Sequence, residues 1–124
     1  MNKLKKILIV DDEKINIMSL AYSLRPDYDI IVAIDGVTAI EVAQKHIPDI
    51  ILLDIIMPEM NGFDVIVKLK ESEITKNIPV IFVTGIRKPE DEKKGYSLGA
   101  VDYIVKPYDA AVIRKKIESC IKTP

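Results

Sequence analysis

The sequence predicts an α/β fold in which helices cover both faces of a five-stranded parallel sheet. Short apolar runs alternate along the chain with longer stretches in which apolar residues recur at helical spacing, which is the pattern of strand and helix units around a parallel sheet. The apolar runs are also continuous rather than alternating with polar residues, as is typical of strands buried on both faces. We therefore expect five strands and five helices in one domain.

Five segments carry the strand pattern. The first four are dense in Val, Ile and Leu, and the fifth is less apolar. In chain order the predicted strands are Lys6–Val10, Asp29–Ala33, Asp49–Leu53, Pro79–Val83 and Val101–Val105. In the common strand order 2-1-3-4-5, the first and third strands are neighbours.

Four of the helices are predicted by apolar residues that fall on one side of a helix. Asp35 stands before the second of these helices and is expected to cap its first turn. The apolar stripes consist of Ile17, Leu20, Ala21 and Leu24; of Ile40, Ala43 and Ile47; of Phe63 and Ile66; and of Ile113, Ile117, Cys120 and Ile121.

The remaining helix, the fourth in the chain, is predicted within Lys88–Ser97 and has almost no apolar stripe. It contains Gly95, and only Tyr96 and Leu98 are available to reach a core. A helix with so few apolar contacts shifts at low cost, which is a property of moving parts. An ordinary solvated surface helix is the alternative interpretation.

Composition and charge exclude several classes of function. The chain has 124 residues and a formal net charge of -1, with Lys and Arg scattered, so it offers no basic field for direct binding of nucleic acid. No apolar stretch approaches the roughly 20 residues that span a bilayer, and the basic start is followed by too short an apolar run for a signal peptide. The single Cys120 allows no internal disulfide and fits a cytoplasmic setting, and the single His46 offers no Ser-His or Cys-His active site.

Polar side chains that could carry chemistry follow four of the predicted strands. Asp11 and Asp12 come directly after the first strand, and Asp54 comes directly after the third. Thr84 follows the fourth strand and Lys106 follows the fifth. Ligands of open α/β sheets bind outside the carboxyl ends of the strands, so all five residues are predicted at one functional edge.

Three carboxylates at such an edge would repel one another and take up protons unless a cation neutralised them. Oxygen ligands suit Mg²⁺, which commonly also contacts a phosphate. Lys106 adds a point charge suited to a phosphate, and Thr84 adds a hydroxyl donor. We therefore expect Asp54 to be a nucleophile that forms an acyl phosphate.

Each of these residues also has an ordinary structural explanation when taken alone. Asp11 and Asp12 could cap the first helix, and Asp54 could accept hydrogen bonds from loop amides. Thr84 could belong to an ordinary loop and Lys106 to a solvated turn before a proline. Their occurrence together at one sheet edge favours the functional interpretation.

Four segments carry a resemblance to a known family. They are ILIVDDEKIN at 7–16, DIILLDIIMPEMNGFDV at 49–65, PVIFVTG at 79–85 and GAVDYIVKP at 99–107. With these motifs in this order, the chain resembles the receiver domain of two-component response regulators over essentially its full length. The resemblance implies a flavodoxin-like (βα)5 three-layer sandwich and a single receiver domain over residues 1–124, either stand-alone or part of a longer regulator.

The resemblance also implies a role for each matching residue. Asp54 would receive a phosphoryl group from the phosphohistidine of a sensor histidine kinase or a phosphotransfer protein. Asp12 would ligate Mg²⁺ (or Mn²⁺) directly, Asp11 partly through water, and Ile56 through its backbone carbonyl. Lys106 would contact the phosphoryl group, and the peptide bond between Lys106 and the following proline would be cis.

A switch is implied by the same resemblance. Thr84 would swing toward the phosphate, and Tyr103 would turn inward to follow it. This motion would remodel the face formed by the fourth helix, the fifth strand and the fifth helix, and so control an output domain or a phosphorylation-induced homodimer. The segments LKESEITKNIPVIFVTG and LGAVDYIVKPYDAAVIRKKI look most like those of receivers attached to cyclic-dinucleotide enzymes.

Two positions that vary widely in the family are aliphatic in this chain. Ile56 stands two residues after Asp54, and Ile86 stands two residues after Thr84. Neither side chain can orient an attacking water, so we expect a long-lived acyl phosphate.

Two other functions compete with a phosphoacceptor role. Phosphatases of the haloacid-dehalogenase type also use an aspartate nucleophile with Mg²⁺, but they place a second acid two residues later, where this chain has Ile56. The other alternative is a receiver-like interaction module that acts without phosphorylation. The intact set of acids together with Thr84 and Lys106 argues against that loss of chemistry.

Overall fold

A computed structural model describes residues 4–85 and 88–121. Strands and helices alternate along these residues, five of each. They are β1 (Lys6–Val10), α1 (Lys14–Leu24), β2 (Asp29–Ala33), α2 (Gly36–His46), β3 (Ile50–Leu53), α3 (Gly62–Glu71), β4 (Val80–Thr84), α4 (Pro89–Ser97), β5 (Asp102–Val105) and α5 (Ala110–Cys120).

All five strands run parallel in the order β2-β1-β3-β4-β5, which confirms the predicted class and strand order. β1 lies between β2 and β3, with Val10 in register with Ala33 on one side and Leu53 on the other. The carboxyl ends of β1 and β3 are therefore adjacent. The residues that follow those two strands share one edge of the sheet.

The sheet separates two apolar cores, as the continuous apolar runs predict. Alternate residues of a strand point to opposite faces, so Leu8 belongs to one core and Ile9 to the other. The first core also contains residues of α2 and α3, such as Ala43 and Ile66. The second contains residues of α1 and α5, such as Leu20. The architecture is therefore the predicted three-layer sandwich.

The strand boundaries differ slightly from the prediction. β3, β4 and β5 each begin one residue later than expected, and β4 extends to include Thr84. Proline has no amide hydrogen, so Pro79 joins the ladder only through its carbonyl, which accepts from the amide of Ile51 at 3.0 Å. Thr84 remains in the ladder because its carbonyl accepts from the amide of Lys106 at 2.8 Å.

Two predicted core contacts of the helices are wrong, whereas the predicted cap is confirmed. Ile47 is 55% exposed because α2 ends there in a left-handed residue with φ of 46°, which turns the side chain off the stripe. Tyr96 is 42% exposed, and Gly95 is the buried residue of α4. Asp35 caps α2 by accepting a hydrogen bond from the amide of Thr38 at 2.8 Å.

Within the two described segments, no helix has the length and apolar character needed to cross a membrane.

Candidate functional site

Three carboxylates meet where β1 and β3 end. Asp11 and Asp12 directly follow β1, and Asp54 directly follows β3. One carboxylate oxygen from each lies within 4.8 Å of the others. The Asp54 amide donates to the carbonyl of Val10 at 3.0 Å, which extends the pairing of the two strands by one residue and sets Asp54 beside Asp11. Asp11 and Asp54 are buried, whereas Asp12 is exposed.

The ammonium group of Lys106 bridges the two buried carboxylates. Its Nζ lies 3.0 Å from Oδ2 of Asp11 and 3.3 Å from Oδ2 of Asp54. β5 delivers this lysine, and the peptide bond between Lys106 and Pro107 is cis, as predicted. The ion pairs connect the chain's fifth strand to its first and third.

Thr84 completes the buried side of the site from β4. Its side chain is fully buried, and its hydrogen bond to Asp54 acts to lower the pKa of that carboxyl. A cleft of about 270 Å³ opens above these groups. The described residues that line it are Asp12, Glu13, Asp54, Ile56, Thr84, Gly85 and Lys106.

Burial sets the charge balance of the site. Desolvation raises the pKa of Asp54, and the negative charge of nearby Asp11 raises it further. The positive charge of Lys106 lowers it, but the pKa of Asp54 remains above its usual value. Burial also disfavours the charged form of Lys106, but the hydrogen bonds and charges of Asp11 and Asp54 together raise its pKa. Among the residues that the structure describes, three carboxylates therefore face one ammonium, and these groups carry excess negative charge.

The donor set fits a hard divalent cation such as Mg²⁺. Three carboxylate oxygens lie close enough to share one ion, and the excess negative charge favours a cation. Ile56 lies at the rim with its side chain 61% exposed, and its amide points to Oδ1 of Asp54 at 3.4 Å. The metal-binding role of its carbonyl remains a prediction.

Helix capping does not account for the paired acids after β1. The residue that precedes the first turn of α1 is Glu13, and its side chain makes no capping hydrogen bond. Oδ1 of Asp11 accepts from the amide of Glu13 at 3.0 Å, which orients the carboxylate toward the site. Asp11 is thereby held between a backbone donor and Lys106.

Tyr103 lies beside this site rather than in it. Its ring is buried and packs edge-on against Phe82, with centroids 6.3 Å apart. Burial is the main cause of its raised pKa, to which the charges of Asp91, Glu92 and Asp54 add. The ring already occupies an inward position in this structure, and its predicted motion is untested.

Two residues near the cleft have roles that the sequence did not reveal. Glu13 lines the cleft, and the only sequence signal was that it is the third acid in a row. The other is Gly62, the first residue of α3. A Cβ at this position would lie 2.4 Å from the carbonyl oxygen of Asp54, so only glycine lets α3 approach the backbone of Asp54 so closely.

Ile86, which was expected to influence the lifetime of an acyl phosphate, lies outside the described residues.

Comparisons with known proteins agree with this geometry. A family model described as the response regulator receiver domain matches residues 7–118. A probable cyclic di-GMP phosphodiesterase of Vibrio cholerae is 43% identical over 91% of the chain, and the response regulator PleD of Caulobacter vibrioides is 39% identical over 92%. The match covers 26% and 25% of those two proteins, so the chain spans about a quarter of their length.

Solved structures show the same fold. The chemotaxis protein CheY4 of Vibrio cholerae superposes with a TM-score of 0.91 at 28% identity, covering 96% of this chain and all of that one. A CheY-like receiver domain protein of Methanospirillum hungatei has a TM-score of 0.88 at 27% identity, covering 94% of this chain and 93% of that one.

The close approach of Gly62 to Asp54 predicts a position-specific effect of an added methyl group. We expect Gly62→Ala to lower the free energy of unfolding by about 1–3 kcal/mol, because the Cβ meets backbone that must shift. Urea unfolding measures this loss. Gly85→Ala is the matched control, because a Cβ there would meet no atom of the described residues within 4 Å, and it should change stability by less than about 0.5 kcal/mol. Equal losses in the two variants would contradict this packing argument.

The raised pKa of Asp54 predicts how stability depends on pH. The folded chain holds this proton more tightly than the unfolded chain, so the free energy of unfolding falls as pH rises from the unfolded pKa through the folded pKa. Asp54→Asn removes this titration. In buffer with EDTA, we expect the stability of the wild type relative to Asp54→Asn to decrease as pH rises from about 4 to about 7. A constant difference over that range would contradict the raised pKa.

Proposed function

The chain belongs to the response regulator receiver domain family of two-component signalling, and we propose that its phosphoacceptor is Asp54, which receives a phosphoryl group from the phosphohistidine of a sensor histidine kinase or a phosphotransfer protein. One observation carries this proposal. The Asp54 carboxylate is buried at the end of β3 among Asp11, Asp12 and Lys106, yet it lines an open cleft.

The charges around Asp54 suit phosphoryl transfer. An oxygen of Asp54 forms the new bond to phosphorus while the bond to the donor's imidazole nitrogen breaks and the electron pair leaves with that nitrogen. Lys106 lies 3.3 Å from Asp54 and holds its positive charge where the phosphoryl oxygens would collect. The Thr84 hydroxyl lies on the buried side as a further hydrogen-bond partner.

Asp11, Asp12, Asp54 and the Ile56 carbonyl would hold Mg²⁺, for which Mn²⁺ is the alternative. A bound divalent cation neutralises the clustered carboxylates and the charge of the phosphoryl oxygens. Within the described part of the chain, the single charge of Lys106 does not balance the three carboxylates.

Thr84 and Tyr103 would transmit the phosphorylated state to the face of α4, β5 and α5. That face already has polar links, because Asp102 on β5 accepts from Lys116 on α5 at 2.9 Å and from the Tyr96 hydroxyl on α4 at 3.4 Å. Tyr103 is the neighbour of Asp102 in sequence, so a movement of Tyr103 would alter these two hydrogen bonds to Asp102.

The chain is a signalling domain, and we propose that the only reactions it catalyses are its own phosphorylation and dephosphorylation. A phosphatase of the haloacid-dehalogenase type would need an acid at position 56, where the structure has an exposed isoleucine. The remaining alternative is a receiver-like interaction module that never carries a phosphoryl group.

Composition and family membership together support a proposal about the wider setting. We propose a single receiver domain over residues 1–124 that works in the cytoplasm, with no direct contact with nucleic acid or membrane. Its effect would pass to an output domain or through a phosphorylation-induced homodimer. The similarity to a probable cyclic di-GMP phosphodiesterase supports an output in cyclic-dinucleotide turnover.

The first test is the intact mass of the protein after incubation with acetyl phosphate and Mg²⁺. We expect one added phosphoryl group on the wild type and none on Asp54→Asn or in EDTA. Asp29→Asn is the matched control, because it removes an exposed carboxylate at the opposite end of a strand, and it should be phosphorylated like the wild type.

The outcomes of this test separate the competing functions. A stable adduct that depends on Asp54 supports the phosphoacceptor. Continuous release of phosphate from a phosphomonoester would favour a phosphatase. If the protein shows neither reaction, the interaction module is favoured.

The aliphatic rim of the cleft predicts a slow loss of the phosphoryl group. The exposed side chain of Ile56 cannot orient a water for attack on the acyl phosphate. We expect the acyl phosphate of the wild type to have a half-life of minutes to hours. Ile56→Asn places a polar side chain at the rim, and its acyl phosphate should hydrolyse several-fold faster. Hydrolysis can be followed by intact mass after removal of the donor. A wild-type half-life of seconds would refute this reasoning.

A further inference from the structure

α4 rests on the sheet through a glycine. The helix has the sequence PEDEKKGYS, and its buried residue is Gly95. Tyr96 next to it is exposed, and Leu98, which packs against the core, lies beyond the end of the helix. The helix therefore places backbone, rather than a stripe of apolar side chains, against the layer below.

The group beneath Gly95 is the ring of Phe82 on β4. A Cβ on Gly95 would lie 3.0 Å from Cδ2 and 3.1 Å from Cε2 of that ring, and 3.8 Å from Cδ2 of Tyr103. Phe82 is fully buried and packs edge-on against two rings, Phe63 at 5.5 Å and Tyr103 at 6.3 Å between centroids. A ring held from both sides yields little, so the helix backbone lies as close as a glycine permits.

The same ring adjoins the residues expected to switch. Phe82 and Thr84 are two residues apart on β4, so their side chains point to the same face of the sheet. Tyr103 is the register partner of Phe82 on β5. The rings of Phe63, Phe82 and Tyr103 form one row of aromatic contacts. A second contact joins α4 to this row, because Nζ of Lys94 lies 4.6 Å from the centroid of Phe63.

We propose that Gly95 and Phe82 form a seat that fixes the resting position of α4, and that the closeness of this contact sets how readily the protein reaches its phosphorylated arrangement. The proposal rests on the proposed function, since it requires α4 to move when Asp54 is modified. A methyl group at position 95 would lift α4 from Phe82 and leave Asp54, Thr84 and Lys106 unchanged. Destabilising the resting arrangement shifts the population toward the phosphorylated arrangement. A ligand that prefers the phosphorylated arrangement then binds more tightly.

Four variants test the seat. They are Gly95→Ala, Phe82→Leu, the double variant, and the control Lys93→Ala, which alters an exposed side chain of the same helix. Beryllofluoride with Mg²⁺ serves as the acyl-phosphate mimic, and its affinity is measured by titration. Amide hydrogen exchange in α4 is measured separately on the unmodified protein.

We expect Gly95→Ala to bind beryllofluoride at least about five-fold more tightly than the wild type and to exchange faster throughout α4. Lys93→Ala should match the wild type in both measurements. The smaller leucine side chain makes room for the new methyl group, so the effect of Gly95→Ala should largely disappear in the Phe82→Leu background. Alanine also raises helix propensity, but it does so equally in both backgrounds, and the double-variant cycle removes that contribution.

The seat is overturned if Gly95→Ala leaves beryllofluoride affinity unchanged or lowers it, or if the two substitutions act additively. Failure of the wild type to bind beryllofluoride would instead defeat the proposed function. In that case only the amide hydrogen exchange data test whether Gly95 and Phe82 hold α4 in place. If the amides of α4 exchange no faster in Gly95→Ala than in the wild type, the proposed seat is wrong.

Discussion

Like charges crowded at the junction of β1 and β3 are the constraint on which the rest of the structure depends. Asp11 and Asp54 are nearly excluded from water, and they keep their places because Lys106 reaches both of them. That lysine comes from β5, and β4 stands between it and β3. A different strand order would leave two buried carboxylates without their cation, which costs far more than any surface ion pair contributes.

Much of this arrangement could be predicted from the sequence because it depends on short-range patterns. Continuous apolar runs identify strands covered on both faces, and the end of each run marks a position on the functional edge. The rule that ligands bind beyond the carboxyl ends of strands was enough to bring Asp11, Asp54 and Lys106 together. The cis bond after Lys106 and the strand order followed from the resemblance and from a common topology, and the structure has both.

The features that escaped prediction depend on how close two backbones come or on where an element ends. Helical spacing placed Ile47 on an apolar stripe, but it could not show that α2 ends there with a left-handed residue. Spacing likewise favoured Tyr96 over Gly95 as the core contact of α4, because a glycine has no side chain to count. Gly62 is a similar case, since its importance lies in the 2.4 Å that would separate an added Cβ from the Asp54 carbonyl oxygen.

The division of the interior by the sheet has a consequence for how the protein can vary. The core under α1 and α5 and the core under α2 and α3 draw on opposite faces of the same strands. Phe82 and Tyr103 belong to the core under α2 and α3, whereas Ile81 and Ile104, their neighbours in sequence, belong to the core under α1 and α5. Substitutions among the residues of the core under α1 and α5 can therefore change that packing while the aromatic contacts of Phe82 and Tyr103 stay in place, so the two halves of one small interior are open to separate variation.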